Sequence, residues 1–127
     1  MAKKVVLTKN APAPGGHYSQ AIVAGNEIYV AGSGPFDPET HELVPGGIAE
    51  QTRRTLDNIA AILEAAGATL ADTVKVTVFL KDMSDFRDMD AAYQTYFPTD
   101  PPARTTVQAE LFGAARLIVV DAVARID

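Results

Sequence analysis

The sequence predicts an α+β fold, a mixed sheet with two helices on one face. Three observations predict it. Ile48 to Ala66 and Asp85 to Phe97 place apolar residues three and four positions apart, the spacing of one helical face. The other apolar stretches are short, and the clearest of them alternate, as strands do. The elements come in the order βββαβαββ, and no internal repeat, low-complexity tract or linker divides the chain. With 127 residues there is room for one core, so residues 1–127 are expected to form a single domain.

Val5-Val6-Leu7 reads as a short first strand. Ile22-Val23-Ala24 and Glu27 to Ala31 flank Gly25-Asn26, a two-residue connection whose residues tolerate positive φ and so close a hairpin. Gly32 to Gly47 is rich in Gly, Pro, Asp and Thr and reads as loop and turn. In the first helix Ile48, Thr52, Leu56, Ile59, Leu63 and Ala66 face inward, and Gly67 supplies the stop. Thr73 to Leu80 alternates, with Val74, Val76, Val78 and Leu80 on one face and Thr73, Lys75, Thr77 and Phe79 on the other. The second helix turns Phe86, Met89, Tyr93 and Tyr96/Phe97 inward and ends at Pro98, with Asp82, Asp85 and Asp88 as a solvated start favoured by the helix dipole. Thr105 to Ala109 and Leu117 to Ile126 are the last strands. The final strand is apolar on both faces, more than two helices can cover, so a second copy of the chain is expected on the open face.

Composition narrows the function. There is no cysteine, which excludes disulfides, thiolate metal sites and a cysteine nucleophile, and agrees with a reducing, cytoplasmic setting. No apolar run approaches the roughly 18 residues of a membrane span. The net charge is −5 and no basic cluster exceeds Lys3-Lys4 and Arg53-Arg54, so neither a nucleic acid nor a membrane is expected as partner. An acidic chain also repels anions at long range, so any carboxylate it binds must be captured by a local arginine. Arg104 is the candidate: it follows the restricted Pro101-Pro102, and its rigid fork matches a carboxylate in two parallel hydrogen bonds. The alternative is a structural ion pair.

Asp121, amid apolar residues, is a candidate base, because burial raises a carboxyl's pKa; it could equally pair with Arg125 or a neighbouring subunit. His17 is either a proton donor of near-neutral pKa or an exposed loop histidine. Tyr18 either packs against a ligand or is a core tyrosine with one satisfied hydrogen bond. Only one of Thr105 and Thr106 can face a cleft, by alternation. Asp37-Pro38-Glu39-Thr40-His41-Glu42 lacks metal-ligand spacing and reads as a turn. Gly32-Ser33-Gly34-Pro35 has no lysine and is no phosphate loop; it suits close backbone approach to a ligand. No metal or organic cofactor is expected.

Several segments carry a resemblance: Gly16-His17-Tyr18-Ser19-Gln20, Val30-Ala31-Gly32-Ser33-Gly34-Pro35 with Asp37-Pro38-Glu39-Thr40, Gln51 to Gly67 around Leu56-Asp57-Asn58-Ile59, Val74 to Asp82, and Pro102-Ala103-Arg104. Together, in order and nearly end to end, they resemble the Rid (YjgF) family of reactive intermediate deaminases. The resemblance implies a chorismate-mutase-like fold, a homotrimer with clefts between subunits, and hydrolysis of 2-imino acids and enamines to 2-keto acids and ammonia. It implies that Arg104 grips the substrate carboxylate, that Tyr18 and the Gly32 backbone line the cleft, and that Ser33, Asp90 and Thr106 lie near the substrate. Four departures stand out. His17 replaces the usual proline, Thr105-Thr106 follow Arg104 where many members have serine and cysteine, Asp90 stands where asparagine is common, and Val119 and Asp121 occupy the columns of two glutamates, the first of which holds the attacking water. A diverged reaction on another small carboxylate, or a carboxylate-binding trimer without turnover, therefore remains beside the deaminase reading.

Overall fold

The structure, a computed structural model, describes residues 2–127. Six strands form one sheet: β1 Lys4–Val6, β2 Ala21–Ala24, β3 Glu27–Ser33, β4 Thr73–Leu80, β5 Ala103–Gln108 and β6 Ile118–Arg125. Two helices, α1 Ile48–Ala65 and α2 Phe86–Tyr96, complete it. The spatial order is β1-β2-β3-β6-β4-β5. Only β4 and β5 pair parallel; every other neighbour is antiparallel. Because β6 runs antiparallel to both β3 and β4, those two strands run the same way, and each parallel step is bridged by a helix. Parallel steps need such crossovers, and here they account for both helices.

Local sequence explains most boundaries. Gly25 takes φ 61° in the two-residue turn between β2 and β3, a conformation open to glycine at no steric cost. At the end of α1, Gly67 takes φ 89°, its N–H donates to the Glu64 carbonyl, and the Ala68 N–H donates to the Leu63 carbonyl. That pair of bonds is a Schellman stop. Glu50 reaches back to the Gly47 N–H at 2.8 Å and closes the start of α1, which holds its carboxyl below the usual range. A short 3-10 turn over Met83–Asp85 precedes α2, and the Asp82 carboxylate accepts from the Ser84 N–H at 2.9 Å. The three aspartates are therefore not equally solvated: burial and its two acidic neighbours push the Asp85 carboxyl up.

The expected elements are all present, with three adjustments. Val74 does not join the inward face of β4. The pairing with β6 slips between Thr73 and Lys75, which turns Thr73 inward and leaves Val74 half exposed. β5 begins at Ala103 rather than Thr105, since Ala103 is the first residue after Pro101-Pro102 with an N–H to give the ladder. Gly32 and Ser33 belong to β3 rather than to the following loop, and a bulge between Val30 and Ser33 re-aims them.

The core lies between the helices and one sheet face. Ile28 and Val30 of β3, Val76, Val78 and Leu80 of β4, and Ile118, Val120, Ala122 and Ala124 of β6 meet Leu56, Ile59 and Leu63 of α1 and Met89 and Tyr93 of α2. Among the described residues no layer covers the opposite face. There Val119, Asp121 and Val123 are only partly buried, and Tyr29 and Val107 are exposed.

Candidate active site

α1 presents buried polar groups where an amphipathic helix would ordinarily be apolar, and these build one side of the site. Gln51, Thr55 and Asn58 are buried on the same face. Asn58 donates to the carbonyls of Gly34 (3.0 Å) and Phe36 (2.9 Å) and accepts from Arg54 at 2.8 Å. Gln51 donates to the Ala115 carbonyl (2.9 Å) and accepts from the Leu117 N–H (2.8 Å). Two loops distant in sequence are thus clamped to one helix, because a buried amide left unpaired costs more than it does paired. Gln20 does the same for the N-terminal segment: it accepts from the Thr8 N–H at 2.7 Å and donates to the Thr8 and Pro12 carbonyls.

Between these clamps lies a cavity of about 430 Å³, bordered by Pro12, Pro14, Tyr18, Gly32, Ser33, Phe36, Asn58 and Arg116. Its size is that of an ordinary small-molecule site. Tyr18 is about half exposed, which removes the core-tyrosine alternative, and its hydroxyl accepts from the Gly15 N–H at 3.1 Å. Ser33 donates to the Ala31 carbonyl at 3.0 Å. Gly32 is needed for space: a Cβ there would stand 3.1 Å from Val119 Cγ1. Position 119 therefore lies beside Gly32.

His17 is exposed and borders a second, more open depression of about 570 Å³ with Tyr18, Ile22 and Tyr29. Asp121 lies opposite Thr77 on the open face. It does not pair with Arg125, which instead reaches Asp127 at 3.8 Å. Four residues along a strand span roughly 13 Å, too far for that ion pair. Asp37, in the turn that carries His41, accepts from the Glu39 and Thr40 N–H groups at 2.8 and 3.0 Å, and those bonds lower its pKa. Its carboxylate is occupied by backbone, as a turn requires. Among the described residues no three acids or histidines gather as a metal site would need.

A second cluster of candidate residues lies at the far edge of the sheet. Arg104 pairs in register with Val76 and Thr106 with Val78, so both face the helices. Thr105 faces the open side and accepts from Lys75 Nζ at 2.9 Å. The Arg104 guanidinium lies 4.6 Å from the Tyr93 ring centre and 5.5 Å from that of Phe86. Its Nη1 donates to Asp90 Oδ1 at 2.7 Å. Arg104 beside it holds the Asp90 carboxyl below the usual carboxylate range, and Gln94 adds a bond at 3.1 Å. Arg104 is thus ion-paired; one arm of the fork carries that pair and the remaining N–H groups make no protein hydrogen bond among the described residues.

Within this chain the expected residues form two groups. Arg104, Asp90 and Thr106 sit at β5 and α2; Tyr18, Gly32 and Ser33 sit at the end of β3 and the loop before β2. β6 and β4 lie between β3 and β5, so three strand spacings of roughly 4.8 Å separate the groups. Arg116 and Phe36, which border the cavity, Tyr93, which lies under Arg104, and the clamping roles of Gln20, Gln51 and Asn58 were not marked by the sequence. Buried amides on the inward face of α1 were the available signal.

This sheet order and the placement of its two helices define a fold of one known type. A family model described as Endoribonuclease L-PSP matches residues 8–126, and the chain belongs to this family, the Rid (RutC, YjgF) proteins. It is 53% identical to a RutC family protein of Pyrococcus abyssi over 98% of both chains. It is 41% identical to a 2-iminobutanoate/2-iminopropanoate deaminase of Rattus norvegicus, over 96% of this chain and 89% of that one. The solved structure of the YjgF gene product of E. coli superposes with a TM-score of 0.90 at 40% identity, covering 96% of this chain and 98% of that one.

Proposed function

We propose that this chain hydrolyses 2-imino and enamine acids to 2-keto acids and ammonia, as a homotrimer whose clefts lie between subunits. The observation that carries the reading is Arg104, a rigid fork on an aromatic bed with one arm fixed by Asp90 and the rest free to take a substrate carboxylate. The name of the rat relative supports the same substrate class. Assembly through the open sheet face would bring Arg104 of one protomer to the Tyr18–Gly32 cavity of the next, joining two groups that one chain keeps apart. It would also cover apolar surface that no element of the chain covers.

In the reaction, water adds to the carbon of the protonated C=N bond, a proton moves from oxygen to nitrogen, and the C–N bond breaks to leave the keto acid and ammonium. Protonated imines hydrolyse readily, so positioning and proton transfer carry most of the task. Tyr18 and the Gly32 backbone would shape the pocket, with Ser33 and Thr106 as further polar contacts. His17 and Asp121 are the candidates to hold water or move the proton.

Val119 favours a second reading, because an apolar side chain stands beside Gly32 where the family holds water with an acid. That reading is a different reaction on a small carboxylate, or binding without turnover. The test generates imines with an amino-acid oxidase or a serine/threonine dehydratase and follows keto-acid formation. Acceleration that disappears in Arg104→Ala supports the deaminase. Ligand-induced thermal stabilisation without product would support the second reading.

A further inference from the structure

Arg116 is the arginine inside the cavity itself. It lies in the loop between β5 and β6, next to Leu117, whose N–H is held by Gln51. Its guanidinium stands 4.7 Å from the centre of the Phe36 ring. Asn58 fixes the backbone that carries that ring by donating to the Phe36 and Gly34 carbonyls. Gly34 permits the stack, since a Cβ there would meet the ring at 3.0 Å and Arg116 Nε at 3.9 Å. Arg116 Nε is buried without a hydrogen-bond partner, and no carboxylate oxygen lies within 4.0 Å of the guanidinium among the described residues.

Of the six arginines, Arg53, Arg104 and Arg125 each have an acid in reach and Arg54 has Asn58. Among the described residues Arg87 has neither but is exposed, whereas Arg116 has neither and is partly buried with a fully buried Nε. A stacked guanidinium with a buried, unsatisfied nitrogen is costly as packing alone. Packing would be served as well by an uncharged side chain of similar length. Held against an aromatic ring in a partly apolar cavity, it is instead placed to meet an anion where water screens least.

We propose that Arg116 binds a second negative group on the substrate, so that this chain prefers imino and keto acids with a carboxylate at each end. The inference rests on the reading that Arg104 takes the first carboxylate and that Tyr18 and Gly32 line the cleft. A doubly charged substrate approaches a protein of net charge −5 against repulsion, and two separated arginines answer its two charges locally.

Two five-carbon keto acids test it by calorimetry, 2-oxoglutarate and 2-oxopentanoate, which differ only in the carboxylate or methyl at the far end. The wild-type protein is expected to bind 2-oxoglutarate about tenfold more tightly or better, and Arg116→Gln to erase that preference, chiefly by weakening 2-oxoglutarate. An unchanged ratio in Arg116→Gln, or no preference in the wild type, overturns the proposal. Should Arg116→Gln fail to fold, the Arg116 Nε–H resonance of the 15N-labelled wild type serves instead: it should move with 2-oxoglutarate and stay with 2-oxopentanoate, and no movement with either overturns the proposal. Arg104→Ala separates the two ideas. Binding that depends on Arg116 but survives Arg104→Ala overturns the Arg104 reading and keeps the Arg116 anion site; the converse overturns the Arg116 site and keeps Arg104.

Discussion

Arg104 and Arg116 belong to different regions of the molecule, an edge strand and the loop between β5 and β6, and are held in different ways. Arg104 projects from an edge strand, stacks on Tyr93 and gives one arm of its fork to Asp90. Arg116 comes from a loop, stacks on Phe36 and has no acid. The aromatic bed is common to both, and it fixes a flexible cation while leaving its edge available. The acid is what differs. Asp90 aims Arg104 but neutralises part of its charge, so Arg104 is a positioned fork, whereas Arg116 keeps its full charge at a less exactingly hydrogen-bonded place.

The comparison breaks most sharply at Arg104→Ala. Truncating one side of a charged contact costs roughly 2–5 kcal/mol, so carboxylate binding and any turnover should fall by roughly a hundredfold or more. Calorimetry showing undiminished affinity would move the carboxylate site away from β5.

Asn58→Ala attacks the other side. It leaves two carbonyls and Arg54 without their partner in a buried place, and should cost about 2–4 kcal/mol in urea denaturation. The Arg104–Asp90 pair should survive it, so the Tyr93 and Phe86 ring resonances should hold their positions. Their movement would mean that the two regions are coupled through α1.

Val119→Glu sharpens the chemistry rather than the binding. The new carboxylate would stand beside Gly32, and imine hydrolysis should rise by about tenfold or more, measured as keto-acid formation. No gain would mean that this cavity does not present the imine carbon to position 119.

The smallest effect is expected from Asp90→Asn. Asp90 has a folded pKa held below its unfolded value of about 3.9, so its contribution is full above that value and is lost as pH falls through the lower folded one. A partly exposed pair of this kind adds about 1 kcal/mol or less. Denaturation midpoints between about pH 2 and 6 should lose that segment of pH dependence in Asp90→Asn. A variant curve parallel to wild type would show that Asp90 contributes nothing to stability.

The amino-acid sequence by itself determined the element order, the two helical faces and the turn at Gly25-Asn26. Period and turn chemistry are local, so they can be read without knowing what lies opposite. It also marked Arg104, through the prolines before it, and it marked Tyr18 and Gly32 by resemblance. Tertiary structure decided the rest. Val74 faces out because a pairing slip against β6 reverses its side, and no local pattern contains that slip. Asp121 and Arg125 are too far apart along their strand to pair, while Arg104 and Asp90, 14 residues apart, meet because α2 returns over β5. Gln51 and Asn58 looked like two more polar residues on a helix until the loops they clamp were in place. Arg116 became a cavity-lining cation only because those clamps bring its loop to Phe36. Strand and helix follow from short-range sterics and spacing. A site depends on which distant segments share a surface, and that is set by the packing of the whole chain.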